Sequence, residues 1–99
     1  MVFTKSLRAR VRSGRIRCSI RIWQKPHVKA GGRYPMDDGS IVVDSIDRIR
    51  MKDITCDLAR ESGFPDVKSL LAIAKHGPGK NVYLVRFHYL APGAWDILR

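Results

Sequence analysis

Arg17, Ser19, Arg21 and Trp23 alternate along one short stretch of the chain. At a spacing of two, a β-strand sets all four side chains on one face. Two guanidiniums beside an indole suit a nucleic acid, since cations neutralise phosphates and the ring offers a plane for base stacking. Arg8, Arg12 and Arg15, just upstream, can extend that positive surface along a backbone. Ser19 adds a hydroxyl, which attacks a carbonyl only where a neighbour takes its proton.

Other arrangements are absent from the pattern. His27, His76 and His88 are never four apart, and neither Cys18 nor Cys56 lies near one of them, so the spacing predicts no metal site. There is no G-x-S-x-G elbow, and Gly77-Pro78-Gly79-Lys80 lacks the spacing of a phosphate-binding loop, so it reads as a turn. His76 reads as a cation at a helix C-terminus. No feature calls for a cofactor. The two cysteines, far apart and without a C-x-x-C partner, read as reduced, buried thiols.

The charge is regional. Ten Lys or Arg and no acid precede Asp37, whereas nine of each sign follow from that point, for a net charge of +10. A polyanion partner follows from such a stretch. The chain's 99 residues fit one domain with one modest core. No apolar run approaches the ~20 residues of a spanning helix, and the basic start lacks the apolar core of a secretory signal. The expectation is a cytoplasmic protein without a membrane partner, as a monomer or dimer.

The elements that would hold these residues follow from periodicity. Residues 2–4 are β-prone. Leu7 and Val11, four apart, give residues 6–13 a helical stripe, and Gly14 falls at its stop. Residues 16–23 form the most legible strand, with Ile16, Cys18, Ile20 and Ile22 on the core face and the polar set on the other. After a loop over 24–32 comes a second extended stretch at 33–36. Asp37-Asp38-Gly39-Ser40 marks a hairpin turn. The β-rich run 41–51 has no purely apolar parity, which predicts a bulge or a bend near Asp44. Asp53 or Thr55 caps a helix that includes Ile54 and Leu58 and ends at Gly63, and Pro65 or Asp66 opens another carrying Val67, Leu70, Leu71 and Ala74. A last strand covers 82–90, and a tail over 91–99 folds back through Trp95. This order favours a curled or closed sheet.

An ordered set of short segments adds a family likeness: Val2-Phe3-Thr4-Lys5, Ser13-Gly14-Arg15 leading to Ser19-Ile20-Arg21, Ala30-Gly31-Gly32-Arg33-Tyr34, Leu58-Ala59-Arg60-Glu61-Ser62-Gly63-Phe64 and Val85-Arg86-Phe87. Over residues 2–90 the chain resembles the ASCH domain, a small β-barrel similar to the PUA RNA-modification domain. The resemblance implies an α+β fold, a PUA-like barrel with two or three short helices packed on it. It also implies a cleft between the first helix and the strand after it. RNA is the family's proposed ligand. Some members hydrolyse the amide of N4-acetylcytidine with a lysine, a threonine and a glutamate, and a nuclease role has been proposed for others.

In the hydrolytic members a Gly-Arg-Lys-Thr-x-Thr-x-Arg run carries the lysine and the nucleophile. The matching run is Gly14-Arg15-Ile16-Arg17-Cys18-Ser19-Ile20-Arg21. Ser19 takes the threonine position, Ile16 stands where the lysine would be, and Glu61 falls near the glutamate. Lys5 is then the expected substitute base, following the first strand and facing the same cleft, where a proton acceptor is required. The expected function is binding of RNA or a nucleoside in a basic cleft through Arg8, Arg12, Arg15, Arg17, Arg21 and Trp23. The alternative is amide hydrolysis of an N4-acylated cytidine by Lys5, Ser19 and Glu61.

Overall fold

The computed structural model describes residues 3–74 and 79–92. Val2, the helix end at His76, the turn residues Gly77 and Pro78 and the tail at Trp95 lie outside them. Helix α1 spans Lys5–Arg12, with Leu7 and Val11 buried, and the chain leaves it through Gly14 at φ 81°. Strands β1 (Cys18–Trp23), β2 (Arg33–Met36), β3 (Gly39–Ile49) and β4 (Asn81–Leu90) form one antiparallel sheet in the order β1-β4-β3-β2. Asp37 and Asp38 make the two-residue turn between β2 and β3, with Asp37 at φ 53°. The register of β3 against β4 slips between Val43 and Ser45, so the bulge sits at Asp44 as predicted.

A single turn of 3₁₀-helix (Met51–Asp53) leads from β3 to helix α2 (Cys56–Glu61), and helix α3 (Val67–Ala74) follows. The Thr55 hydroxyl accepts the Leu58 N–H at 3.1 Å and caps α2, so Ile54 precedes that helix and is buried in the core instead. Asp66 accepts the Ser69 N–H at 2.7 Å at the start of α3. Between the helices, Gly63 has φ 98°, and a Cβ there would fall 2.6 Å from the Ile16 side chain. Any other residue would be strained at that backbone angle and would displace the Ile16 and Leu7 methyl groups.

The sheet has a core on each side. Phe3, Leu7 and Val11 pack over Trp23, Ile41, Val43, Val85 and Phe87 on one side. Ala59, Leu70 and Ala74 pack over Cys18, Ile20, Ile22, Val82 and Leu84 on the other. Two sequence expectations are corrected by this arrangement. Ile16 joins the α1 side, because the strand begins only at Cys18 and the alternation does not reach back to it. The face carrying Ser19 and Trp23 is not an open polar face, since α1 and Phe3 lie across it. The molecule is thus a small α+β fold with a curled half-barrel sheet. Among the described residues β1 and β2 do not pair, and the barrel is open.

Candidate functional site

A cleft of about 170 Å³ opens along β1. Phe3, Thr4 and Leu7 form one wall from the start of α1, and Ile73 and Ala74 form another from the end of α3. Ser62 and Phe64, in the link from α2 to α3, close the back. The floor is β1 itself, through three consecutive residues, Ser19, Ile20 and Arg21. The surroundings are mostly apolar, and the polar groups converge on one spot.

Arg21 is the centre of that spot. Its Nε donates to the Ser19 hydroxyl at 2.8 Å, and its guanidinium lies 5.1 Å from the centre of the Phe3 ring. A cation over an aromatic face is stabilised by the ring quadrupole, more so away from water. Burial lowers the Arg21 pKa to about 10, so it remains charged at neutral pH. With one lone pair engaged by Arg21, the Ser19 hydroxyl keeps its own hydrogen to donate. Deeper in, the Ser62 hydroxyl donates to the Leu58 carbonyl at 2.9 Å and lies 3.6 Å from the Cys18 sulfur. Burial pushes the Cys18 thiol up, opposed by the Ser62 hydrogen bond.

Of the residues expected from sequence, the structure brings Ser19 and Arg21 together in this cleft. Arg8 and Arg12 turn to the β2–β3 hairpin instead: both pair with Asp37, Arg8 at 3.5 Å, and Arg8 Nε also donates to the Phe3 carbonyl at 3.1 Å. Arg15 and Arg17 are exposed and outside the cleft walls, though the Arg17 carbonyl accepts the Phe87 N–H at 2.9 Å. Lys5 and Glu61 are likewise exposed and outside the walls. Trp23 is corrected as an open stacking plane. It is 4% exposed and stacked on His27, ring centres 4.6 Å apart and planes 14° from parallel. The cysteine expectation holds for Cys18 alone: both thiols are free, but Cys56 is exposed at the start of α2.

Sequence reasoning missed the apolar walls, Phe3, Phe64 and Ile73, as site residues. It also missed a second, more open depression of about 330 Å³ at the end of β3 and the start of β4, where Arg48, Arg50 and Lys80 gather. Arg48 donates to the Asn81 side-chain oxygen at 2.7 Å, and the Asn81 amide donates to the Gln24 carbonyl at 2.9 Å. Arg50 is paired with Asp53 at 3.3 Å. These cations lie in the stretch whose charges sum to zero, and only the pairing of β3 with β4 collects them.

Among the described residues no His, Cys, Asp and Glu side chains group so as to hold a metal, and no helix is long and apolar enough to cross a membrane. Comparison with protein-family models, curated proteins and solved structures returned no match.

Proposed function

We propose that this protein binds RNA or a nucleoside by taking one unstacked base into the cleft along β1. The observation that carries this reading is the junction of Phe3, Arg21 and Ser19: a ring, a charged donor array and a hydroxyl at the floor of an apolar cleft. Such a mix of apolar walls and a few convergent polar groups is typical of small-ligand sites. A cavity of ~150 Å³ takes one benzene ring, so about 170 Å³ suits one pyrimidine-sized ring and not a whole nucleotide. Proteins that read single-stranded RNA splay bases out, stack them on aromatic or guanidinium planes and hydrogen-bond their edges. Arg10, Arg15 and Arg17, exposed nearby on α1 and the segment after it, supply cations for the phosphates. Arg48, Arg50 and Lys80 supply a second group. The resemblance to the ASCH domain, with its PUA-like barrel, agrees with this assignment.

The hydrolytic alternative asks for a proton acceptor beside Ser19. Arg21 holds that position and is a donor, while Lys5 and Glu61 lie outside the cleft walls. Binding is therefore the favoured reading.

The test is fluorescence anisotropy with a labelled single-stranded pentaribonucleotide. The expected result is saturable binding that weakens steeply between about 50 and 200 mM salt. Arg21→Met keeps the stem and removes the charge; affinity should fall by about ten- to a hundredfold, the worth of one or two charge-assisted hydrogen bonds. Arg48→Ala should lower the salt slope by about one and change affinity at fixed salt far less. Binding that ignores both salt and Arg21→Met would sink the proposal.

A further inference from the structure

Walls from both sides of the sheet, Phe3 and Leu7 on the α1 side and Ala74 on the α2–α3 side, set this cleft across one edge of β1. Ser19 and Arg21 lie on the α1 side of the sheet, whereas the Ile20 side chain belongs to the α2–α3 side. The cleft thus runs along the edge of β1 away from β4, which no strand pairs among the described residues and where the main chain of Ile20 is presented.

The register tells which main-chain groups face that edge. The Phe87 N–H donates to the Arg17 carbonyl, so Arg17 and Phe87 form a hydrogen-bonded pair. In an antiparallel ladder such pairs alternate with non-bonded ones. Ser19 with Val85, Arg21 with Tyr83 and Trp23 with Asn81 continue the bonded set. Cys18, Ile20 and Ile22 are the non-bonded positions, and their N–H and C=O groups point away from β4. The opposite side of β4 agrees: Val43 bonds to Gly31 and Gly32 rather than to β4, which leaves the bonded positions of β3 at Val42 on one side of the bulge and at Ser45, Asp47 and Ile49 on the other.

At Ile20 this outward pair enters the cleft between Ser19 and Arg21. Ile20 is 3% exposed, and among the described residues its main chain bonds to no helix or loop. A buried donor and acceptor left without partners costs free energy. A ligand that supplies one acceptor and one donor side by side removes that cost.

We infer that the Ile20 main chain is the base-reading element of this protein: its N–H and C=O pair with the Watson–Crick edge of the bound base. This rests on the proposed RNA reading and adds what that reading leaves open, which edge of the base is used. Each unmodified base carries a neighbouring donor and acceptor on that edge. An extended peptide would use the same groups, but α1 and α3 close the cleft to about 170 Å³, room for a ring and not for a strand. The consequence is selectivity for unpaired bases, since a duplex already occupies that edge.

The test titrates the ¹⁵N-labelled protein with penta-uridylate and penta-cytidylate. Two control oligonucleotides carry N3-methyluridine or N4,N4-dimethylcytidine throughout. The expected result is a shift of the Ile20 amide resonance and slowed hydrogen exchange at that amide. Methylation should weaken binding at least tenfold, with no dependence on any protein variant folding. Pentanucleotide binding that needs Arg21 but leaves the Ile20 amide unmoved, or that tolerates methylation, overturns this inference and leaves the RNA reading standing. No binding by either pentanucleotide overturns both. Titration with the peptide Thr-Val-Thr-Val-Thr is the third arm: if it shifts the Cys18, Ile20 and Ile22 amides together, the edge takes a strand and the base-reading role is refuted.

Discussion

Arg21 and Arg48 sit in one row of the sheet, each paired with Tyr83 from opposite sides. They have the same side chain and live in different media. Arg21 is half-buried over Phe3 in the cleft that Leu7 of α1 helps to wall, with its pKa lowered to about 10 by burial. Arg48 is exposed beyond the helix and braced by Asn81. A guanidinium out of water makes directional, strong contacts, whereas one in water adds mainly salt-dependent attraction. The lesson is that the covering helix, and not the density of arginine in the sequence, separates recognition from steering.

The largest way to break this contrast is to loosen the cover. Leu7 is buried in the α1 side of the core and lines the cleft, so Leu7→Ala should cost about 2–5 kcal/mol of stability by the lost packing and the void left behind. Chemical denaturation measures it. Where the variant still folds, Arg21 should be wetter and pentanucleotide affinity lower, with the Arg48 end unaffected.

A milder probe is pH. The ligand uses the charged guanidinium, which loses its proton as pH rises through the folded-state value of about 10. Binding should therefore hold level from neutral pH to about 9 and weaken above about 10. The sign for stability is opposite. Because the folded pKa lies below the ordinary 12.5, the unfolded chain holds more protons between the two values, and this group's contribution to stability rises over that interval. A titration series of anisotropy curves checks the first, and urea unfolding at matched pH checks the second.

The smallest effect comes from the hairpin. Asp37 holds both Arg8 and Arg12 away from other anions. Asp37→Asn should cost under about 1 kcal/mol, as for other largely exposed pairs. RNA affinity at low salt should rise by about threefold, from two released cations. Unchanged affinity would show that α1 presents no phosphate path.

Much of the local structure was legible because it depends on neighbours in sequence. The stripe of Leu7 and Val11, the stop at Gly14, the Asp-Asp-Gly turn and the mixed parity around Asp44 each have a short-range cause. The site was legible only in part. Alternation placed Ser19, Arg21 and Trp23 on one face correctly, but parity cannot say what lies over that face. Trp23 is buried against His27 of the following loop and Tyr83 of β4, and the second of those contacts follows from strand pairing. Ser62 and Phe64 reach the cleft through the packing of the α2–α3 link. Arg48 and Lys80 meet through strand pairing. Charge counting by region averaged that second cluster away.

The bulge at Asp44 also determines how this chain can change length. Val43 faces Phe87 and Ser45 faces Arg86, so excising Asp44 alone leaves both halves of β3 opposite their present partners. A deletion further along would turn every residue between it and the bulge to the opposite face. Losing Asp44 gives up curvature and the contact of its carboxylate with His88 at 2.9 Å, but no register. The strand thus carries one position at which length and alignment are independent, and drift in length among descendants of this sequence would begin there.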